Sequence, residues 1–196
     1  MGDDARSDAE LLEAFQKGDV ASFEALYQRH REWAAAIARR FTRDDHGAMD
    51  VLQDAFAYVL MRPPSLHAGA TFRSFMYPVI KHTALATRRK ERSAVHGVMP
   101  AASASLDDAV QNRDDRKDVG SQRSRDEADE AMDRLRGALA KLPDAQREVL
   151  VMRTVDGMSL QEIAVALSIP LGTVKSRLHH ALTALQQDEA TRRYFG

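Results

Sequence analysis

Ser159-Leu160-Gln161-Glu162-Ile163-Ala164-Val165-Ala166-Leu167-Ser168-Ile169-Pro170-Leu171-Gly172-Thr173-Val174-Lys175-Ser176-Arg177-Leu178 is the stretch from which the rest of the chain can be ordered. Ser159 and Glu162 have the spacing of a capping box, in which the serine hydroxyl accepts from a free first-turn amide and the glutamate accepts from the serine amide. A helix therefore begins at Leu160, with Ile163, Ala164 and Leu167 on its inner face. Ser168-Ile169-Pro170 ends it after about two turns, because proline has no amide donor and disfavours helical geometry in the residue before it. A second helix restarts at Leu171, placing Val174 and Leu178 one turn apart. Two short helices, a tight turn and an alanine small enough for the crossing point make a helix-turn-helix.

In such a unit the second helix enters the major groove and presents its first half to base edges. The candidates here are Thr173, Lys175, Ser176, Arg177, His179 and His180. Lys175 and Arg177 can each contact phosphate, and either can donate to guanine O6 and N7. His179-His180 does not predict a metal site. Neighbouring helical side chains diverge by about 100°, and no carboxylate or cysteine follows at the next turn.

Upstream, Ala131, Leu135, Ala138, Leu139 and Leu142 keep helical spacing. Pro143 suits the first turn of another helix through Val149, Leu150 and Met152, which Asp156-Gly157 ends. The amino-terminal half shows the same periodicity in Leu11, Leu12 and Phe15, then Phe23, Leu26 and Tyr27, then Trp33, Ile37 and Phe41. Met49, Leu52, Phe56, Val59 and Leu60 predict a further buried face, with Asp50, Gln53 and Asp54 opposite it and Pro63-Pro64 at its end. A last helix of this half spans about residues 71–89, where Pro78 predicts a kink. Residues 93–130 are poor in apolar side chains and read as a flexible linker. No strand alternation occurs, so the expected class is all-α: two small helical domains, residues 1–92 and 131–196, on a flexible tether.

The net charge of −1 conceals opposed segments. Lys81, Arg88, Arg89, Lys90 and Arg92 face only Glu91 within one run, whereas residues 103–130 hold nine acids against five bases. A chain that offers one surface to phosphates and withholds the others has this polarity. There are no cysteines, which excludes disulfides, thiol nucleophiles and thiolate zinc sites. No run of about 18 apolar residues suggests a membrane span. The acidic start lacks a secretory signal, so the protein is expected to be soluble and cytoplasmic. Nor does any nucleophile motif or glycine-rich phosphate loop point to an enzyme, a catalytic residue or a cofactor.

In this order the features resemble the extracytoplasmic-function (ECF) class of bacterial sigma factors. Leu142-Pro143, Gln146-Arg147-Glu148-Val149, Ser159, Glu162-Ile163-Ala164 and Gly172-Thr173-Val174-Lys175-Ser176-Arg177-Leu178 are similar to region four of that class, although alone they would also fit a response-regulator output domain. Asp50-Val51-Leu52-Gln53-Asp54-Ala55-Phe56 is similar to the part of region two that docks on polymerase. Phe72-Arg73-Ser74-Phe75-Met76-Tyr77 and the basic run after it resemble its promoter-melting part.

The resemblance implies a factor that binds core RNA polymerase, recognises the minus-35 and minus-10 promoter elements and starts transcription under an anti-sigma protein. Asp50, Gln53 and Asp54 would dock on the beta-prime clamp helices, while region four would meet the beta flap. Ser65, Leu66, His67, Lys81, His82, Arg88, Arg89 and Lys90 would hold the single-stranded minus-10 element. Thr173, Lys175, Ser176, Arg177, His179 and His180 would read the double-stranded minus-35 element. Phe72, Phe75 and Tyr77 have the spacing of core side chains more than of a stacking platform. His82 replaces a frequent asparagine of the class, so the minus-10 preference does not carry over. The linker falls where the class threads a segment through the polymerase channel.

Overall fold

The computed structural model describes residues 4–64, 70–96, 122–189 and 191–192, all of whose regular elements are helical. Helix α1 (Asp8–Gln16) opens with a capping box in which Glu10 accepts from the Ser7 amide at 2.7 Å. Gly18 then takes a φ of +99°, a conformation glycine adopts without steric cost, and Asp19 caps α2 (Val20–Phe41). Asp44 accepts from the Gly47 amide at 2.7 Å to start α3 (Asp45–Met61), and α4 spans Phe72–His96.

These four helices pack around Leu11, Leu26, Ile37, Val51, Phe56, Phe72 and Ile80. The buried face of α3 is Ala48, Val51, Leu52, Ala55, Phe56 and Val59, whereas Met49 and Leu60, expected inside, are 41% and 49% exposed. The alanines complete an unbroken step of three and four, and Met49 lies about 100° away from Ala48 on the helix. Helix α4 is unbroken through Pro78, which sits on its exposed side. The ring removes the amide from which the Ser74 carbonyl would accept.

The amino terminus is clasped to α2. The Asp8 carboxylate accepts from Arg29 Nη1 at 2.7 Å and from Nε2 of the buried His30 at 2.8 Å, whose ring lies tilted against Phe72. Burial pushes the Asp8 carboxyl up, but the hydrogen bonds from His30 and Arg29 outweigh it and hold the group below its ordinary value of 3.8. Because the folded value is the lower one, the clasp stabilises the fold above that pH and fades as pH falls through the folded value. Asp8→Asn is therefore expected to cost about 1–2 kcal/mol at neutral pH. Its deficit against the native chain should shrink in acid, as read by thermal unfolding across the carboxylate range.

The second half contains α5 (Gln122–Ala140), α6 (Asp144–Thr154), α7 (Leu160–Ala166) and α8 (Leu171–Gln187). The turn between α5 and α6 is closed by Arg147, 2% exposed, which donates from Nε to the Leu139 carbonyl at 2.7 Å and from Nη2 to those of Ala140 and Leu142 at 2.9 and 2.8 Å. Residues 93–96 and 122–130, read above as linker, are helical. The run 122–130 has almost no apolar side chain to betray a period, but its Gln, Arg, Glu and Ala residues are good helix formers. The rest of the expected linker, residues 97–121, lies outside the described residues.

A small core of Ala138, Leu142, Leu150, Ala181 and Leu185 holds α5, α6 and α8 together. Val149, Met152, Met158, Ile163, Ala166 and Val174 instead continue the apolar core of the first half. Helix α7 packs along α4, so the two halves are docked rather than held apart.

Candidate polymerase and nucleic-acid interfaces

The capping box of α7 forms as its spacing requires, with the Glu162 amide donating to Ser159 Oγ at 3.2 Å and the Ser159 amide to Glu162 Oε2 at 2.7 Å. Ser168, in the turn, adopts a φ of +53°, the left-handed conformation that reverses the chain after a short helix. Pro170 then fixes the start of α8. Val174, Ala181 and Leu185 bury one face of α8. On the other, Lys175, Ser176, His179 and His180 are exposed, while Thr173 and Arg177 are half-buried at its edges. Lys175 and His179, like Ser176 and His180, stand one turn apart, so the exposed set forms a single polar ridge.

Asp50, Gln53 and Asp54 lie together on the exposed face of α3. Asp50 Oδ2 is 3.2 Å from His46 Nδ1, itself almost fully exposed. The two apolar side chains displaced from the core, Met49 and Leu60, are also exposed on α3, as are Tyr58 and Met61.

On α4, His82, Arg89 and Lys90 are exposed, but Arg88, expected to follow phosphates, is only 9% exposed and turned inward. Lys81 is paired with Glu148 of α6 at 2.6 Å. Phe72 and Tyr77 are buried and Phe75 half-buried, in keeping with core rather than stacking roles. Ser65, Leu66 and His67 lie outside the described residues.

Sequence reasoning missed the polar seam between the halves. Trp33 Nε1 donates to the Asp156 carbonyl at 3.1 Å, and Arg40 Nη2 donates to Asp156 Oδ2 at 2.8 Å. Burial raises the Asp156 carboxyl above its ordinary value in spite of the Arg40 guanidinium. Thr71 Oγ1 donates to Glu162 Oε1 at 2.7 Å, so one glutamate both caps α7 and ties it to the start of α4. Burial works to raise the Glu162 carboxyl, yet its hydrogen bonds from Ser159 and Thr71 hold it below the ordinary value. Tyr77 Oη and Lys81 Nζ both donate to Glu148 Oε1, at 3.0 and 2.6 Å. Partners separated by 67 to 123 positions leave no periodic trace in a sequence.

Residues 26–94 match the Sigma-70 region 2 family and residues 132–185 the Sigma-70, region 4 family. The chain is also 31% identical over 180 residues to the ECF RNA polymerase sigma factor SigM of Mycobacterium tuberculosis, covering 92% of this chain and 83% of that one. It belongs to the extracytoplasmic-function sigma factors. The RNA polymerase sigma-H factor of Pseudomonas aeruginosa is 27% identical over 183 residues, with 92% of each chain covered. The ECF sigma-E factor of Escherichia coli is 26% identical over the same length, covering 91% of this chain and 92% of that one.

Two solved structures share the fold of this sigma factor. One is of CnrH in complex with the cytosolic domain of CnrY, with a TM-score of 0.60 and 22% identity over 91% of this chain and 94% of that one. The other is of RpoE in complex with the anti-sigma factor NepR from Bartonella quintana, with a TM-score of 0.54 and 20% identity over 84% and 94%. As an ECF sigma factor the protein is a DNA-binding transcription initiation factor that works with core RNA polymerase. Among the described residues no helix is long and apolar enough to cross a membrane.

Proposed function

We propose that this sigma factor divides its work between three faces. Asp50, Gln53 and Asp54 on α3 dock on the beta-prime clamp helices. Lys81, His82, Arg89 and Lys90 on α4, with Ser65, Leu66 and His67, hold the single strand of the minus-10 element. The exposed ridge of α8 enters the major groove at the minus-35 element, with Lys175 and Arg177 on phosphate or guanine and Thr173, Ser176, His179 and His180 on neighbouring edges. The observation that carries this reading is that exposed polar faces on α3 and α8 belong to two regions matched separately in one chain.

The mechanism needs no chemistry from the chain itself. Polymerase fixes the separation of the two regions, so that weak contacts at each element act together as a raised effective concentration. A base leaves its stack at a cost of a few kcal/mol, which backbone and pocket contacts to the freed strand offset. An anti-sigma protein would compete for the same faces in the cytoplasm.

Run-off transcription with purified core polymerase on a library of randomised promoters tests this function and returns the sequence read. The expected result is specific initiation from a subset of templates with two conserved blocks. Equal output with and without the chain would overturn it.

A further inference from the structure

The thioethers of this chain fall into two sets. Among the described residues, Met76, Met152 and Met158 are fully buried, whereas Met49, Met61 and Met132 are 41%, 76% and 49% exposed. Exposure decides which of them an oxidant can reach. A chain without cysteine offers no thiol to intercept that oxidant first, so methionine sulfur is the side-chain atom that most readily takes an oxygen from a peroxide.

Two of the three exposed thioethers sit on α3, the helix that carries Asp50, Gln53 and Asp54. Met49 adjoins Asp50 and stands one turn before Gln53, and Met61 follows Asp54 on the same side of the helix about two turns later. The third, Met132, lies on α5, in the other half of the chain. Methionine is unbranched and polarizable, and adapts readily to the surface of a partner. Its sulfoxide is polar and chiral, and carries an acceptor that must be hydrated or hydrogen-bonded.

Resting on the polymerase-docking reading of α3, we propose that Met49 and Met61 are oxidation sites through which a peroxide weakens holoenzyme formation. The sulfur lone pair attacks one oxygen of the peroxide, forming the S–O bond as the O–O bond breaks. The proton on the transferred oxygen passes to the departing one, so hydrogen peroxide leaves as water. Sulfur is oxidised by two electrons and the peroxide is reduced by two. A dithiol-driven methionine sulfoxide reductase reverses the change, releasing water and a disulfide. No charge is gained or lost, which separates this effect from anything done to Asp50 or Asp54.

The full chain, treated with hydrogen peroxide and freed of it before core polymerase is added, gives a direct test. Peptide mass mapping at limiting peroxide should find Met49 and Met61 oxidised while Met76, Met152 and Met158 stay thioethers. Binding of the amino-terminally labelled chain to core polymerase should weaken about tenfold, or ~1.4 kcal/mol, and recover after reduction by the two epimer-specific methionine sulfoxide reductases. Met49→Leu with Met61→Leu should bind about equally well before and after peroxide, whereas Met132→Leu should keep the loss of about tenfold.

Met49→Gln with Met61→Gln places a polar amide at both positions without any oxidant, and should also weaken binding about tenfold. This variant decides the matter if circular dichroism shows that oxidation has cost the chain its helices. Binding unchanged by peroxide overturns the proposal, as does a loss that persists in the leucine variant, earlier oxidation of the buried methionines, or native affinity in the glutamine variant. Failure of the untreated chain to bind core polymerase, or native binding by Asp50→Arg with Asp54→Arg, would instead overturn the functional reading on which the proposal rests.

Discussion

Replacing Arg147 with alanine is expected to destabilise region 4 by about 3–5 kcal/mol, because one guanidinium satisfies three carbonyls at the end of α5 and its turn. The last carbonyls of a helix have no partner within it, and a buried helix end must find one elsewhere. Arg147 is 2% exposed, so water does not simply replace it. Arg147→Lys keeps the charge but loses the planar fork that reaches several oxygens together, and should fall between the native chain and the alanine variant. Urea unfolding followed by circular dichroism measures both. An alanine variant within about 1 kcal/mol of native would mean that the turn is held by its apolar contacts alone.

The largest functional effect is expected on α3. Asp50→Arg together with Asp54→Arg should lower run-off transcription at least about 100-fold, since like charges set against a basic partner surface cost several kcal/mol, and each 1.4 kcal/mol is a factor of ten. Both residues are exposed and neither supports the core, so the variant should keep its native helicity and melting temperature. Transcription within about twofold of native would remove this face from the polymerase interface.

Much of the architecture was legible because local rules decided it. Ser159 and Glu162 announce α7 by their spacing, Pro170 separates it from α8, and Gly18-Asp19 marks the join of α1 and α2. Asp50, Gln53 and Asp54 fall on one exposed face for the same periodic reason. The errors have physical causes too. Met49 and Leu60 are apolar enough to suggest burial, but small Ala48 and Ala55 let the helices approach and carry the buried face past them. Arg88 lies inside a basic run yet is largely covered, because a helix cannot present three consecutive side chains to one surface. The docking of the halves was invisible because Arg40, Trp33 and Tyr77 gain their roles only from residues 71 to 123 positions away.

Arg147, Glu148 and Val149 stand in succession on α6, and the helical turn sends each in its own direction: to the carbonyls of the α5–α6 turn, to the donors of α4, and into the apolar interior. Three consecutive codons thus answer to three unrelated constraints. A one-residue insertion or deletion there would misdirect all of them together, which makes this turn of helix a place where mutational drift has little room.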